Sequence, residues 1–272
     1  IKRGGTVKKV FDLISLRGRT ALITGAAGSL GQEIANTVAE LGGDLLLVDR
    51  PNTDYSSILK NIQDNWDVSV SCFNCDLESE SERKNLINKI NSYGQLDILF
   101  NNAAFVGDSQ LDGWSTDFKN QTVETWRRAF EVNLTATFDL SKGLFPNLQN
   151  SVNGSIINIA SIYGVNAPNY SLYKGTDMGN PAAYSASKGG LIQFTKWLAT
   201  TLAPEIRVNA ISPGGIYRGQ PSIFVEKYES RTPLKRMAKE EDFKGAIAYL
   251  SSDLSEYVTG QNIIVDGGWG LW

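Results

Sequence analysis

Histidine is missing from this 272-residue chain, and cysteine occurs only twice. The absence of histidine excludes Ser–His and Cys–His nucleophile systems and every zinc site that uses imidazole. Proton transfer must therefore use tyrosine, lysine, a carboxylate or cysteine, with a pKa shifted to suit. Cys72 and Cys75 are too few for a four-cysteine zinc site, so we expect no metal. They lie in an apolar run that predicts a strand, so their side chains should face opposite ways as reduced structural thiols.

Charge of one sign and long apolar runs are scarce as well. The chain has 26 Lys and Arg against 29 Asp and Glu, so no basic excess favours nucleic-acid binding. No apolar run approaches the roughly 18 residues that a membrane span needs. The basic N-terminus lacks the apolar core and cleavage site of a signal peptide. We therefore expect a cytoplasmic protein with no membrane segment, in which residues 1–17 form a surface arm and residues 18–272 form one domain.

The sequence alternates between short strand-like runs and longer segments of helical period. Strands are predicted at residues 21–24, 45–48, 68–73, 98–100, 156–159, 207–211 and 262–265. Helices are predicted at residues 31–41, 82–93, 125–144, 183–202 and 242–250. Because the strands are apolar on both faces and alternate with helices, we expect an α/β protein. Its doubly wound parallel sheet should have about seven strands, with helices on both faces.

A glycine-rich turn follows the first predicted strand directly and leads into the first helix. The turn contains Gly25, Gly28 and Gly31, together with Ser29 and Leu30. Glycines let main-chain N–H groups approach a pyrophosphate, and the positive end of the helix dipole favours its charge. The place of the turn between a strand and a helix therefore predicts a nucleotide site.

Acidic residues end the next two predicted strands. Asp49 lies 18 positions beyond Gly31, where a carboxylate can accept hydrogen bonds from both ribose hydroxyls. It would repel a 2′-phosphate, so we expect NAD rather than NADP. Arg50 could offset that repulsion, which keeps NADP open, and a role for Asp49 as a plain turn residue also stays open. Asp76 and Leu77, after the third strand, are expected near the adenine.

Tyr184 and Lys188 place a phenol and an ammonium group one helical turn apart on one face. A nearby cation favours the phenolate, so we expect the pKa of Tyr184 to fall from about 10 toward neutrality. Tyr184 would then be a usable acid or base in a protein without histidine. Tyr170 and Lys174 have the same spacing, so the context of the pair must decide.

Several motifs, in order, resemble those of the short-chain dehydrogenase/reductase family over residues 16–269. The resemblance rests on residues 24–31, Asn101-Asn102-Ala103-Ala104, Asn133, Ser161, Tyr184 with Lys188, Pro213-Gly214 and Val265-Asp266-Gly267-Gly268. It implies a single-domain Rossmann-type fold and a nicotinamide dinucleotide, NAD or alternatively NADP. It also implies a homotetramer or homodimer in which helices 125–144 and 183–202 pair between subunits.

The resemblance also implies roles for individual residues. Tyr184 would exchange a proton with the substrate oxygen, and Ser161 would hydrogen-bond that oxygen. Lys188 would lower the tyrosine pKa and hold the nicotinamide ribose, while Asn133 would hold a water that links Lys188 to solvent. The nicotinamide would carry the hydride. The residues expected to bind the cofactor are Gly25, Gly28, Ser29, Leu30, Gly31, Asp49, Arg50, Asp76, Leu77, Asn102, Ala103, Ala104, Tyr184, Lys188, Pro213, Gly214 and Ile216.

Three departures from the family pattern bear on function. Ser29 stands where the compact branch has its middle glycine, and the resulting spacing fits the extended branch of nucleotide-sugar epimerases and dehydratases. Arg218 replaces a threonine, which puts one contact to the nicotinamide carboxamide in doubt. Ser161 and Tyr184 are 23 residues apart, more than the family usually has.

The insertion between Ser161 and Tyr184 should rim the substrate pocket, together with the loop 105–121. The insertion carries Asn166, Pro168, Asn169, Tyr170, Ser171, Tyr173 and Lys174, and the loop carries Asp108, Asp112, Trp114, Asp117 and Lys119. Aromatic platforms mixed with hydrogen-bonding groups suit a polyhydroxylated ligand. The insertion and residues 218–221 resemble family members associated with bacterial surface-sugar and flagellin-glycan modification.

These observations predict an enzyme that interconverts a secondary alcohol and a ketone on a polar, sugar-derived small molecule. A nucleotide-sugar epimerase or dehydratase with retained NAD and a 3-oxoacyl-type reductase remain alternatives. A third alternative is a non-catalytic, cofactor-sensing protein with the same fold. An insertion that makes no substrate contact is as consistent with the sequence as one that lines the pocket.

Overall fold

The computed structural model describes residues 7–105 and 111–272. One sheet of seven parallel strands runs through it in the order β3-β2-β1-β4-β5-β6-β7. The strands are β1 (Thr20–Thr24), β2 (Asp44–Asp49), β3 (Val70–Asn74), β4 (Ile98–Asn101), β5 (Gly154–Ile159), β6 (Ile206–Pro213) and β7 (Asn262–Val265). The order of the strands reverses between β1 and β4, so a crevice opens at their carboxyl ends. The predicted Rossmann-type sheet is confirmed.

Helices cover both faces of the sheet. They are α1 (Val10–Ile14), α2 (Ser29–Glu40), α3 (Ser56–Asn65), α4 (Glu80–Tyr93), α5 (Val123–Phe130), α6 (Ala136–Gly143), α7 (Phe145–Gln149), α8 (Ala182–Leu202), α9 (Ser222–Arg231) and α10 (Lys244–Ser251). Side chains of α2, α3 and α10 form one buried apolar cluster, and those of α4, α6 and α8 form another. The sheet therefore lies between two separate cores.

The central strand β1 shows why its three middle residues, 21–23, are all apolar. Leu22 packs into the cluster with α4, α6 and α8, whereas Ile23 packs into the cluster with α2 and α10. Side chains alternate between the two faces of a strand, so a strand covered on both faces needs apolar residues throughout. The edge strand β3 is less enclosed, and its Cys72 is exposed. Cys75 is buried beyond the end of β3, so the prediction that both free cysteines lie in the strand is wrong.

Two other predictions about the helices are also corrected. The helix predicted at 125–144 is interrupted, because a π-helical turn at Glu131–Thr135 separates α5 from α6. Helices α3 and α9 were not predicted. In α3 only Ile58 and Ile62 are buried, and one pair of apolar residues is too weak a periodic signal in a polar segment.

The N-terminal arm lies on the surface from residue 7 to residue 15 and enters the core at Leu16. Helix α1 has no buried residue, but Leu16 is fully buried, and its main-chain N–H donates to Leu41 O at 2.9 Å. Within residues 7–105 and 111–272, no helix is long and apolar enough to cross a membrane.

Candidate active site

A cleft of about 1,090 Å³ lies along the carboxyl ends of the strands where their order reverses. Every residue that the sequence predicted to bind the cofactor lines this cleft: Gly25, Gly28, Ser29, Leu30, Gly31, Asp49, Arg50, Asp76, Leu77, Asn102, Ala103, Ala104, Tyr184, Lys188, Pro213, Gly214 and Ile216. Ser161 lines it as well. The fold therefore brings residues from five separate motifs to one edge of the sheet.

The glycine turn at one end of the cleft has no room for side chains. A Cβ on Gly31 would lie 2.1 Å from Gly25 O, and a Cβ on Gly25 would lie 2.9 Å from Ala103 Cα. Gly25 also has a φ of +64°, which L side chains rarely adopt. Helix α2 begins directly after Gly28, with no side-chain cap, so its first main-chain N–H groups are available to an anion. This cradle fits the pyrophosphate of a dinucleotide.

Asp49 lines the cleft at the end of β2. Its carboxylate accepts hydrogen bonds from the main-chain N–H of Ala27 and of Arg50, both at 2.8 Å. The side chain therefore does more than close a turn, because it ties the end of β2 to the glycine turn. Its negative charge stays at the wall of the cleft, whereas Arg50 is exposed.

Ser161 and Tyr184 meet at the opposite end of the cleft. Ser161 follows β5 and is 6% exposed, and Tyr184 lies in the first turn of α8. Both side chains line the cleft. Burial raises the pKa of Tyr184, and the nearby Ser161 hydroxyl and the charge of Arg218 only partly oppose it. For the protein side chains alone, the prediction of a lowered tyrosine pKa is therefore wrong, and Tyr184 is a protonated acid at neutral pH.

Lys188 is buried one turn further along α8. Its Nζ lies 5.9 Å from the centroid of the Tyr184 ring and donates to Ile159 O at 2.6 Å. The side chain is 2% exposed, and burial lowers its pKa from 10.5 to about 8. Desolvation is the largest cause of the pKa shift of both Lys188 and Tyr184. The spacing of residues in a sequence gives no information about it.

Asn133 contacts α8 at Ser187, next to Lys188, and does not line the cleft. Its amide oxygen accepts from the main-chain N–H of Phe105 at 2.6 Å, and its amide nitrogen donates to Ser187 Oγ at 2.9 Å. Ser187 precedes Lys188 in α8. The π-helical turn at Glu131–Thr135 places Asn133 there, 1% exposed, between the loop after β4 and α8. A side chain with these bonds holds both elements in register.

A second cavity of about 260 Å³ adjoins the cleft beside the Ser161 and Tyr184 side chains, which line both. Its wall consists of Ser161, Tyr184, Ile162, Tyr163, Tyr173, Met178, Gly179, Asn180, Pro181, Pro213, Gly214, Gly215, Gln220, Phe224, Tyr228 and Met237. The sequence analysis had placed the insertion, Pro213, Gly214 and residues 218–221 at the site, and it missed Gly215, Phe224, Tyr228 and Met237. Phe224 and Tyr228 lie in α9 and Met237 follows it, in a stretch where only residues 218–221 had been singled out. Their aromatic pattern, Phe224 and Tyr228 at i and i+4, was the available signal.

The inserted residues 162–181 are folded against the rest of the domain. Leu172 is 3% exposed and Tyr173 is 9% exposed. Lys227 of α9 donates to Lys174 O at 2.6 Å, and the Tyr173 and Phe224 rings lie 5.5 Å apart. The part of the insertion that faces the second cavity is Ile162, Tyr163, Tyr173 and residues 178–181, whereas Tyr170 is exposed.

The loop 105–121 contributes less than the sequence suggested. Trp114 is 3% exposed and packs edge-on against Phe105, with ring centroids 4.9 Å apart. Asp112, Asp117 and Lys119 are exposed, and none of them lines either cavity. Asp108 lies outside the described residues. Arg218 does line the cleft, where its Nε donates to Glu240 Oε1 at 3.1 Å.

Comparisons with known proteins agree with this geometry. Residues 25–270 match the family model described as "Enoyl-(Acyl carrier protein) reductase". The chain is 34% identical over 263 residues to a 3-oxoacyl-[acyl-carrier-protein] reductase of Rickettsia conorii, covering 94% of this chain and 98% of that one. It is 29% identical over 268 residues to an NADP-dependent mannitol dehydrogenase of Alternaria alternata (95% and 94%). It is 30% identical over 259 residues to the post-translational flagellin modification protein A of Campylobacter coli (94% and 100%).

Among solved structures, a short-chain dehydrogenase of Leptospira borgpetersenii with bound NAD⁺ is 34% identical. It superposes with a TM-score of 0.81 and covers 98% of this chain and 97% of that one. The chain belongs to the short-chain dehydrogenase/reductase family. It is an NAD(P)-dependent oxidoreductase, as the cleft with its glycine cradle and the Ser161–Tyr184 pair already indicated.

Proposed function

We propose that the protein transfers a hydride between NAD(H) and a secondary alcohol or ketone of a polar, sugar-derived molecule. The observation that carries the proposal is that the hydroxyl-bearing side chains of Ser161 and Tyr184 line both cavities, at the junction between them. A ligand oxygen placed there can contact both hydroxyl groups while its carbon faces the cleft. The mannitol dehydrogenase and the flagellin modification protein among the relatives support the sugar-derived class.

The chemistry follows from the protonation states of these side chains. When bound, the dinucleotide supplies or accepts the hydride at its nicotinamide. In the direction of ketone reduction, Tyr184 donates its phenolic proton to the carbonyl oxygen, and Ser161 hydrogen-bonds the same oxygen. Lys188 would hold the nicotinamide ribose and stabilise the phenolate that remains. Asn133 holds α8 in position, and we assign it a water that returns a proton to Tyr184 by way of Lys188.

The reaction is tested by incubating the protein with NADH deuterated at C4 and neutral and anionic sugar ketones. We expect one NADH consumed for each alcohol formed, with deuterium at the carbinol carbon. A changed sugar without net consumption of NADH would instead indicate a nucleotide-sugar epimerase or dehydratase with retained NAD. Absence of both reactions would contradict the proposal.

A second candidate is reduction of a 3-oxoacyl thioester. The similarity to the 3-oxoacyl-[acyl-carrier-protein] reductase of Rickettsia conorii favours it. Ser161 and Tyr184 could act on either ketone, so the site alone does not decide between the two candidates. An acetoacetyl thioester included in the same assay separates them by which ketone is reduced.

We further propose that Asp49 makes NADH the preferred cofactor. At an effective dielectric constant of about 20, two unit charges 4 Å apart repel by about 4 kcal/mol, so a carboxylate at the ribose disfavours a 2′-phosphate. Asp49→Asn removes the charge but keeps an oxygen for the Ala27 N–H. We expect this variant to raise the ratio of kcat/KM for NADPH over NADH at least about tenfold.

Asp44→Asn is the matched control for this measurement. Asp44 begins the same strand, is half-buried like Asp49, and accepts from the main-chain N–H of Ser69 at 2.7 Å. It lies at the other end of the sheet, so its variant should leave the cofactor ratio unchanged. A wild-type preference for NADPH, or an equal change in both variants, would contradict the role of Asp49.

We also keep the prediction of a homo-oligomer, either a tetramer or a dimer. Trp126 of α5, Phe138 of α6 and Trp197 of α8 are 40%, 45% and 55% exposed. Large aromatic side chains are enriched where protein surfaces associate. These helices are the ones that the family resemblance assigns to subunit contacts.

A further inference from the structure

The cavity beside Ser161 and Tyr184 is aromatic, small and uncharged. None of the described residues that line it has a charged side chain, and Tyr163, Tyr173, Phe224 and Tyr228 give the wall four aromatic rings besides Tyr184. Its volume of about 260 Å³ is below the roughly 300–1,000 Å³ of pockets that hold drug-sized ligands. The cations Arg218 and Lys188 line the adjoining cleft and not this wall, so a carboxylate or phosphate held in the cavity itself would lose solvation without a cation in the wall to offset the loss. The cavity therefore suits a compact, neutral ligand.

Two phenols of this wall form a hydrogen-bonded pair. Tyr163 and Tyr173 share a hydrogen bond between their phenolic oxygens at 2.6 Å. The nearby amide of Asn180 opposes the rise in the pKa of Tyr173 that burial causes. The amide oxygen of Asn180 accepts from Ser185 Oγ at 2.8 Å, which ties the insertion to α8 one residue beyond Tyr184.

The Tyr163–Tyr173 pair has one hydrogen-bond donor more than it has acceptors in the described part of the protein. Two phenols contribute two O–H protons, and the bond between them uses one. Burial raises the pKa of both phenols, so both keep their protons. Among the hydrogen bonds of the described residues, the remaining O–H has no acceptor in the protein. A buried hydroxyl proton at a cavity wall is satisfied when a ligand oxygen accepts it.

We infer that Tyr163 and Tyr173 form a specificity site that donates a hydrogen bond to a hydroxyl oxygen of a compact, neutral polyhydroxy ketone or polyol. The inference rests on the proposed function and narrows its substrate class. The aromatic faces pack against the C–H surface of the ligand, and the phenolic O–H selects an oxygen away from the reacting carbon. The insertion between Ser161 and Tyr184 thereby acts in substrate selection, because it supplies Tyr173 and Asn180.

The test uses three six-carbon ketones with NADH. Fructose in its open-chain form is a neutral polyhydroxy ketone, 2-hexanone is the same carbon skeleton without hydroxyls, and 5-ketogluconate carries a carboxylate. We expect the wild-type chain to have a higher kcat/KM for fructose than for either of the others. In the double variant Tyr163→Phe/Tyr173→Phe, which removes both phenolic protons, the ratio of kcat/KM for fructose over 2-hexanone should fall about tenfold, the equivalent of 1.36 kcal/mol. Each single variant leaves one phenolic O–H and should lower the ratio less.

The ratio is measured within one protein preparation, so a partly unfolded variant does not change it. Tyr170→Phe is the control, because Tyr170 lies in the same insertion, is 63% exposed and lines neither cavity. It should leave the ratio unchanged. A preference for 5-ketogluconate, or an unchanged ratio in the double variant, would overturn this inference but leave hydride transfer intact. No reduction of any of the three ketones would count against the proposed function itself.

Discussion

Replacing Tyr184 with phenylalanine is expected to lower kcat about 1,000-fold while the affinity for NADH changes less than about threefold. General acid catalysis by a positioned side chain contributes typically 10²–10⁴-fold, and no histidine exists in the chain to replace the phenol. Phenylalanine keeps the ring that lines both cavities and removes only the phenolic hydroxyl. The loss should therefore fall on the chemical step. Single-turnover NADH oxidation and a fluorescence titration of NADH measure the two quantities separately.

Tyr249→Phe is the control for this substitution. Tyr249 lies in α10, partly buried in the core on one face of the sheet, and lines neither cavity. The same atom is removed, and we expect kcat to stay within about twofold. If Tyr184→Phe retained more than a tenth of the wild-type kcat, Tyr184 would not be the proton donor.

The nucleotide half of the site could be predicted from the sequence because main-chain geometry determines it. A turn such as Gly25 to Gly31 admits only glycine at its closest approaches, so the constraint is visible in the residues themselves. Parallel strands then bring the ends of β1, β2 and β4 to one edge, where Asp49 and Asn102 line the same cleft. Local pattern and topology together were enough.

The substrate half could not be predicted in the same way, because it is assembled from residues far apart in the chain. Tyr173 and Phe224 are 51 positions apart and meet with ring centroids at 5.5 Å. Helix α9 gives only a weak periodic signal, so its packing on the insertion follows from tertiary contacts. Trp114 shows the opposite error, since an aromatic residue in a polar loop was taken for a ligand platform and is a core residue.

The directions of the pKa shifts of Tyr184 and Lys188 could not be predicted from the sequence either. The four-residue spacing of Tyr184 and Lys188 correctly placed them on one helix face. Spacing does not reveal that Lys188 Nζ is bonded to Ile159 O, or that both side chains are desolvated. Burial acts on each group separately and opposes the attraction between an ammonium and a phenolate. The pKa of Tyr184 is therefore raised where a pairwise argument expected it to be lowered.

Replacing Lys188 with methionine is expected to lower kcat/KM at least about 100-fold and yet to stabilise the fold at neutral pH. The activity falls because no ammonium remains to hold the ribose and to stabilise the Tyr184 phenolate. The fold gains because a pKa lowered from 10.5 to about 8 means that the native state resists the charged lysine. At pH 7 that resistance is on the order of 3 kcal/mol, since one pKa unit corresponds to 1.36 kcal/mol.

The difference in the free energy of unfolding between Lys188→Met and the wild type should depend on pH. Between pH 8 and pH 10.5 the unfolded chain holds the Lys188 proton and the native chain does not, so wild-type stability rises with pH over that range. Lys188→Met lacks this rise. The stability advantage of the variant should thus be largest below pH 8 and shrink by pH 10.5, and taking the difference cancels the titration of all other groups. Urea unfolding of both proteins across that range measures it.

Lys196→Met separates burial from the mere loss of a lysine. Lys196 is exposed on the same helix, two turns beyond Lys188, so its ammonium keeps its solvation and its removal should change neither stability nor kcat/KM appreciably. Parallel stability profiles for Lys188→Met and the wild type between pH 8 and pH 10.5 would show that the native state holds Lys188 charged throughout. Lys188 would then be a fixed cation paired with Tyr184, and burial would not lower its pKa.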